Sequence, residues 1–337
     1  MSSDAARRRS EYTYRPAWWV PGAHAQTMWG KFFRRRELFG ARVERWDTPD
    51  GDFVDVQRLD GDDAAAPRLF ILHGLEGTIR SHYVTGFLGE AKRRGWGADL
   101  LIFRGCGDEP NRRPRFYHSG DTGDLAFALN RVLSEHPRSS IVLAGVSLGG
   151  NVLLKFLGER GDNLPSRVRR AAAISVPFDL EKGARKIATG FSRVYDRHFL
   201  RTLREKARAK LAVFPGLFDA GRLEGARSIF EFDDAVTAPV HGFVDAHDYY
   251  ARSSSLPWLG RIRRPTFLLS AVDDPFLPSA VLDDVRAAAR DNPALTLEFT
   301  AHGGHVGFVG GRWPWSASYY AEWRACEFLA QSFQGAA

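Results

Sequence analysis

The sequence predicts an α/β fold: a mostly parallel eight-stranded sheet with helices on both faces and an inserted helical cap. Three observations carry this. Strand-like and helix-like segments alternate along most of the 337 residues. The apolar strand Ile141 to Ala144 runs straight into Gly145-Val146-Ser147-Leu148-Gly149-Gly150 and then a helical stretch. Between Pro177 and Arg263 the pattern is helical and rich in aromatics, with no convincing strand. A chain of this length fills one large core with room for an insertion. Its 44% hydrophobic and 26% charged residues describe a globular protein and not a disordered or fibrous one.

Residues 1–40 read as an N-terminal arm packed on or near the domain. Trp18, Trp19, Trp29, Phe32 and Phe33 lead directly into Arg34 to Arg36. Large aromatics are ordinary core material, which favours packing; the aromatic-plus-basic order also suits weak contact with a membrane surface. The core is expected over 41–176 and 264–337, with the cap over 177–263. Val43 to Trp46 and Phe53 to Leu59 flank Thr48-Pro49-Asp50-Gly51-Asp52, predicting an antiparallel hairpin. Arg68 to Leu72 is a short buried strand. A helix around Tyr83 to Arg94, a strand at Ala98 to Phe103 and a helix around Asp121 to Ser134 follow. After the Ile141 strand come the helix Asn151 to Glu159 and strands at Arg170 to Ser175, Thr266 to Ser270 and Thr296 to Thr300.

The net charge of +7 comes from short arginine runs, at Arg7 to Arg9, Arg34 to Arg36, Arg112 to Arg115, Arg167 to Arg170 and Arg261 to Arg264. Nucleic-acid binding would want them on one module with stacking aromatics, and no such motif is present, so a solvated surface is expected. Cys106 and Cys326 are too few for a disulfide framework, and no Cys/His cluster has zinc spacing. The opening residues hold no signal-like apolar stretch, and no apolar run approaches the roughly 18 residues of a membrane span. A cytoplasmic location is the expectation.

Gly-x-Ser-x-Gly alone is a weak signal. Between a strand and a helix it becomes a sharp turn that exposes Ser147 at the strand's end, above a helix N-terminus whose dipole favours developing negative charge. A serine hydroxyl needs a base to take its proton and an acid to orient that base. The strand Thr266 to Ser270 ends in Ala271-Val272-Asp273-Asp274-Pro275, where Asp274 is the preferred acid and Asp273 the alternative; the other aspartate is expected to cap its turn. Ala301-His302-Gly303-Gly304-His305 follows the last strand, with His305 the preferred base because two glycines let the loop turn inward, and His302 the alternative. Backbone N–H groups of Leu148 and of Leu75, in the glycine-flanked loop His73-Gly74-Leu75-Glu76-Gly77, are the expected oxyanion donors. His73 is read as a loop-fixing side chain. With nucleophile, base and donors all protein groups, no metal or organic cofactor is called for.

These residues resemble the YheT-like branch of the α/β hydrolases, which includes plant embryogenesis-associated esterases and eukaryotic abhydrolase-domain lipases. The likeness runs from His24-Ala25-Gln26-Thr27 through Asp50-Gly51-Asp52-Phe53-Val54-Asp55, His73-Gly74-Leu75-Glu76-Gly77, Phe103-Arg104-Gly105-Cys106 and Tyr117-His118-Ser119-Gly120 to His302-Gly303-Gly304-His305-Val306-Gly307-Phe308. Gly190-Phe191-Ser192-Arg193-Val194-Tyr195 and Glu231-Phe232-Asp233-Asp234 extend it into the cap. The resemblance implies esterase or lipase activity on a small-molecule acyl ester, short- to medium-chain or lipid-like, with Ser147, Asp274 and His305 as the triad. Val146 departs from the aromatic common at its position. None of the ten histidines has an aspartate five positions on, so the His-x4-Asp signature of some acyltransferase relatives is missing. Acyl transfer to an alcohol is the alternative activity. A non-catalytic binding protein on the same fold is the rival of another class. Dehalogenase and epoxide hydrolase chemistry would need an aspartate in place of Ser147.

Overall fold

The computed structural model describes residues 13–37 and 39–333; the first twelve residues of the expected arm, with Arg7 to Arg9, lie outside them. The expected hairpin forms from β1 (Arg42–Asp47) and β2 (Phe53–Leu59), paired antiparallel from Arg42 opposite Arg58 to Asp47 opposite Phe53. β3 (Arg68–Leu72), β4 (Gly97–Ile102), β5 (Ile141–Val146), β6 (Val168–Ile174), β7 (Thr266–Ala271) and β8 (Leu295–Thr300) complete an eight-stranded sheet ordered β1-β2-β4-β3-β5-β6-β7-β8. β2 alone runs against its neighbours. Every residue of β3, β4, β5 and β7 is buried, so both faces of the sheet are covered. That is why these strands read as continuous apolar runs and not as alternation. The one charge in β4, Asp99, is held by Arg58 at 2.9 Å and Arg68 at 2.7 Å, so this buried carboxylate does not stand alone.

The helices are α1 (Gly22–Phe33), α2 (His82–Arg93), α3 (Gly123–Glu135) and α4 (Leu148–Arg160), then α5 (Leu180–Ile187) to α10 (Ala246–Ser253), and finally α11 (Ala280–Ala289) and α12 (Tyr320–Ala330). Between β6 and β7 the chain is helical, its longest piece being α6 (Arg193–Val213). This segment fills two small cores of its own. One gathers Leu200, Ala207, Phe218, Leu223 and Phe232, the other Leu180, Ala184, Tyr249 and Tyr250.

The described part of the arm packs on the domain. Its one helix, α1, is not announced by periodicity, because its buried positions are Gln26 and Gly30 and not an apolar stripe. The Gln26 amide donates to the carbonyls of Val20 and Val309 and accepts from the Val309 N–H at 2.7 Å, which ties α1 to the short hairpin of β9 (Val309–Gly310) and β10 (Ser318–Tyr319). Each described arginine run has a member bound within the fold, Arg34 to Glu322, Arg115 to Asp121, and Arg167 and Arg264 to backbone carbonyls, while others such as Arg35, Arg36, Arg112, Arg169 and Arg261 are exposed. Among the described residues no helix is long and apolar enough to cross a membrane.

Candidate active site

Parallel strands present all their C-terminal ends along one edge of a sheet, so loops leaving that edge can meet. Here the loops after β3, β5, β7 and β8 do. β5 ends at Val146, and Ser147 takes φ 53° and ψ −122° before α4 begins. A residue with a side chain holds this conformation only where its surroundings enforce it. The turn is tight: a Cβ on Gly145 would lie 2.6 Å from the Gly149 carbonyl oxygen, and one on Gly149 would strike the carbonyls of Leu72 and His73. The flanking glycines are therefore steric requirements.

Ser147, His305 and Asp274 form one hydrogen-bonded chain. His305 Nε2 lies 2.9 Å from Ser147 Oγ, and His305 Nδ1 lies 2.8 Å from Asp274 Oδ2. The other carboxylate oxygen of Asp274 accepts from the Phe276 N–H at 2.8 Å. The Asp274 side chain is only 4% exposed and that of His305 10%. Phe276 stacks on the imidazole with centroids 4.1 Å apart, so the ring is shielded on one face.

The alternatives Asp273 and His302 engage each other instead. Asp273 Oδ2 is 3.3 Å from His302 Nδ1, and its Oδ1 accepts from the Gly304 N–H at 2.9 Å. Asp273 was expected to cap its own turn; instead it reaches across to brace the histidine loop, because the parallel neighbours β7 and β8 bring the two loops side by side. Gly304, at φ 58°, packs so closely on α1 that a Cβ would meet the Ala23 carbonyl. The His305 N–H donates to Thr27 Oγ1 at 2.9 Å, Thr27 donates to the Ala23 carbonyl at 2.7 Å, and the Val306 N–H donates to Ser175 Oγ at 3.0 Å. Thr27 and Ser175 are positioning residues that pattern reading missed. The only signal for Thr27 was its place in His24-Ala25-Gln26-Thr27.

In the loop after β3 the N–H groups of Gly74 and Glu76 donate to Tyr83 Oη (2.8 Å) and Tyr117 Oη (2.9 Å), and that of Gly77 to the Gly74 carbonyl. Among the described residues the Leu75 N–H has no such partner. The Leu148 N–H, first in α4, has none within its helix either. His73 is fully buried, its Nδ1 2.8 Å from the Gly74 carbonyl and its Nε2 accepting from the Phe103 N–H at 3.1 Å. Both contacts suit the neutral ring, and burial lowers its pKa to about 4. Glu76 accepts from Tyr117 Oη and pairs with Lys206 of α6 at 2.7 Å, which links this loop to the helical segment above. Burial pushes the Cys106 thiol up to about 12, so it is no rival nucleophile. Among the described residues no cluster of His, Cys, Asp and Glu could hold a metal ion.

A cavity of about 510 Å³ opens over these groups. Ser147, Leu75, Leu148 and His305 line its floor, and Leu180, Ile187, Phe199, Leu203 and Phe232 line the side given by the helical segment. Its size and apolar wall suit a small ligand with a greasy part.

Residues 67–311 match the α/β-hydrolase fold family. The chain is 40% identical over 314 residues to the putative esterase YheT of Escherichia coli, covering 92% of this chain and 91% of that protein. It is 29% identical to human phospholipase ABHD3 over 91% of this chain and 76% of that one. Among solved structures, an esterase of Pyrococcus furiosus superposes with a TM-score of 0.57 at 16% identity, covering 87% of this chain and 93% of that one, which speaks for the fold. The chain belongs to the α/β-hydrolase family, in its YheT-like esterase branch, and is an enzyme of that hydrolase class.

Proposed function

We propose that the protein is a serine carboxylester hydrolase acting on short- to medium-chain or lipid-like acyl esters through an acyl-enzyme. The observation that carries this reading is the continuous chain from Ser147 Oγ through His305 to Asp274, with bonds of 2.9 and 2.8 Å. Ser147 Oγ attacks the ester carbonyl while His305 Nε2 takes its proton, and Asp274 stabilises the imidazolium from the far side. The oxyanion is held by the N–H groups of Leu75 and Leu148. His305 then gives its proton to the departing alcohol. A water, deprotonated by His305, attacks the acyl-enzyme and restores Ser147. The apolar wall of the cavity takes the acyl chain. A fluorophosphonate probe tests this directly: the adduct should map to the Ser147 peptide by mass spectrometry, and an unlabelled enzyme or a label elsewhere would end the proposal.

The ion pair between Glu76 and Lys206 has a testable part in this mechanism. Glu76 follows the donor Leu75 and is held at φ 55°, so anchoring its carboxylate anchors the loop. Lys206→Met is expected to lower kcat about tenfold, a change of ~1.4 kcal/mol in the barrier, with KM changed less; Lys206→Arg should recover most of it. Equal loss in both variants would mean that the pair does not position the loop.

A further inference from the structure

On the described surface beside the cavity mouth, aromatic rings that ought to be buried stand in solvent. Trp18 is 69% exposed, Phe32 62%, Phe33 66% and Trp315 81%. They are not scattered. Trp18 packs edge-on to Trp313, which stacks on Trp315, while Trp19 meets Trp29, Trp29 stacks on Phe33 and Phe33 touches Phe32. Trp18 and Trp19 join the two groups, donating their indole N–H to the carbonyls of Arg312 and Gly311 at 3.0 and 3.1 Å. Exposed apolar patches of this kind mark interaction surfaces.

The charges around the rings are predominantly basic. The two segments that build the surface, 13–37 and 302–319, carry one acid, Glu37, against five exposed cations, Arg15, Lys31, Arg35, Arg36 and Arg312. We propose that this surface docks the protein on an anionic lipid bilayer, with the rings in the headgroup layer and the arginines on lipid phosphates. Aromatics that offer an apolar body beside basic side chains suit that interface. A second copy of the chain is disfavoured as the occupant, because a two-fold contact through this surface would set five cations of each copy against those of the other, with only Glu37 to offset them. The surface also adjoins the site: Thr27, Met28 and Lys31, on the same helix as Phe32 and Phe33, line the cavity. Docking itself does not depend on the esterase reading; that a lipid-borne ester would enter from the docked face does.

Co-sedimentation of the full chain with vesicles tests the proposal. Vesicles of phosphatidylcholine with phosphatidylglycerol should bind the protein at least about tenfold more strongly than phosphatidylcholine alone, and about 0.5 M salt should abolish the difference. Trp18→Ser with Trp315→Ser should cut binding about tenfold or more, and Arg35→Gln with Arg312→Gln should cut the preference for anionic vesicles. Both double variants should melt as the parent does and hydrolyse a soluble ester at its rate. A parent that binds vesicles but hydrolyses no ester would sink the esterase reading and leave the docking intact. No preference for anionic vesicles, or Trp variants that bind like the parent, overturns the docking. So does a dimer that these substitutions dissociate in the absence of vesicles, since it would assign the surface to a second copy.

Discussion

Ser147→Ala is expected to lower kcat/KM for a p-nitrophenyl acyl ester by about 10⁴- to 10⁶-fold while leaving the melting temperature within a few degrees. The size of the loss follows from the proposed mechanism, because Ser147 carries the hydroxyl that meets His305 Nε2, and an oxyanion hole without a nucleophile retains little catalysis. The fold should tolerate the change. Ala keeps the Cβ that the turn already accommodates, and among the described residues Ser147 Oγ is bonded only to His305. The same assay separates the neighbouring acids. Asp274→Asn should cost about 10³- to 10⁴-fold, because Asn presents an N–H or the wrong tautomer to His305 Nδ1. Asp273→Asn should cost less than about tenfold, since its carboxylate meets the Gly304 N–H and His302 and not the catalytic ring. Similar losses at both positions would mean that the acid is shared.

Acid should unfold the protein earlier than its carboxylates alone would require, with the melting temperature falling about 10 °C between pH 7 and pH 5. Four histidines are held neutral by burial: His73 and His118 with pKa lowered to about 4, His82 and His241 to about 3. Their folded values lie below the unfolded 6.5 or so, so the unfolded chain binds protons first. The stability they contribute is complete above about pH 6.5 and is lost as pH falls towards the folded values. For His73, which has no exposed surface, the full loss is about 3 kcal/mol; the other three are partly exposed, so solvent screening discounts what their shifts contribute. Asp233 works the other way. Burial raises its pKa to about 6 and also raises those of Asp124, Asp196 and Glu322, so the contributions of these carboxyls grow as pH falls and offset part of the loss. Thermal melts followed by circular dichroism across this range measure the slope. His73→Gln should lower the melting temperature at pH 7 and flatten the slope; a parent whose melting temperature is level from pH 7 to pH 5 would contradict neutral burial of these rings.

The strands and the elbow were legible because their determinants are local. A strand buried on both faces must be apolar throughout, as Ile141–Val146 is, and the elbow's glycines are dictated by atoms within a few residues and by the adjoining strand. α1 escaped notice for the opposite reason: its inward face carries Gln26, whose bonds go to Val309, far along the chain. The helical character of the segment between β6 and β7 was visible, yet the ion pair from Lys206 to Glu76 was not, since a surface lysine and one bound to a loop look alike in sequence.

The α/β class, the order of the strands, the turn at Ser147 and the two short loops that carry the candidate acids and histidines are all legible in the sequence alone. Each rests on spacing, burial pattern or backbone sterics, which neighbouring residues specify. Local sequence preferred Asp274 over Asp273 and His305 over His302, but which of them meet in the hydrogen-bonded chain with Ser147 is a matter of tertiary geometry. Candidates one and three residues apart carry the same functional groups. What separates them is direction: β7 and β8, side by side, aim Asp274 and His305 at Ser147 and leave Asp273 and His302 to hold the loop that aims them.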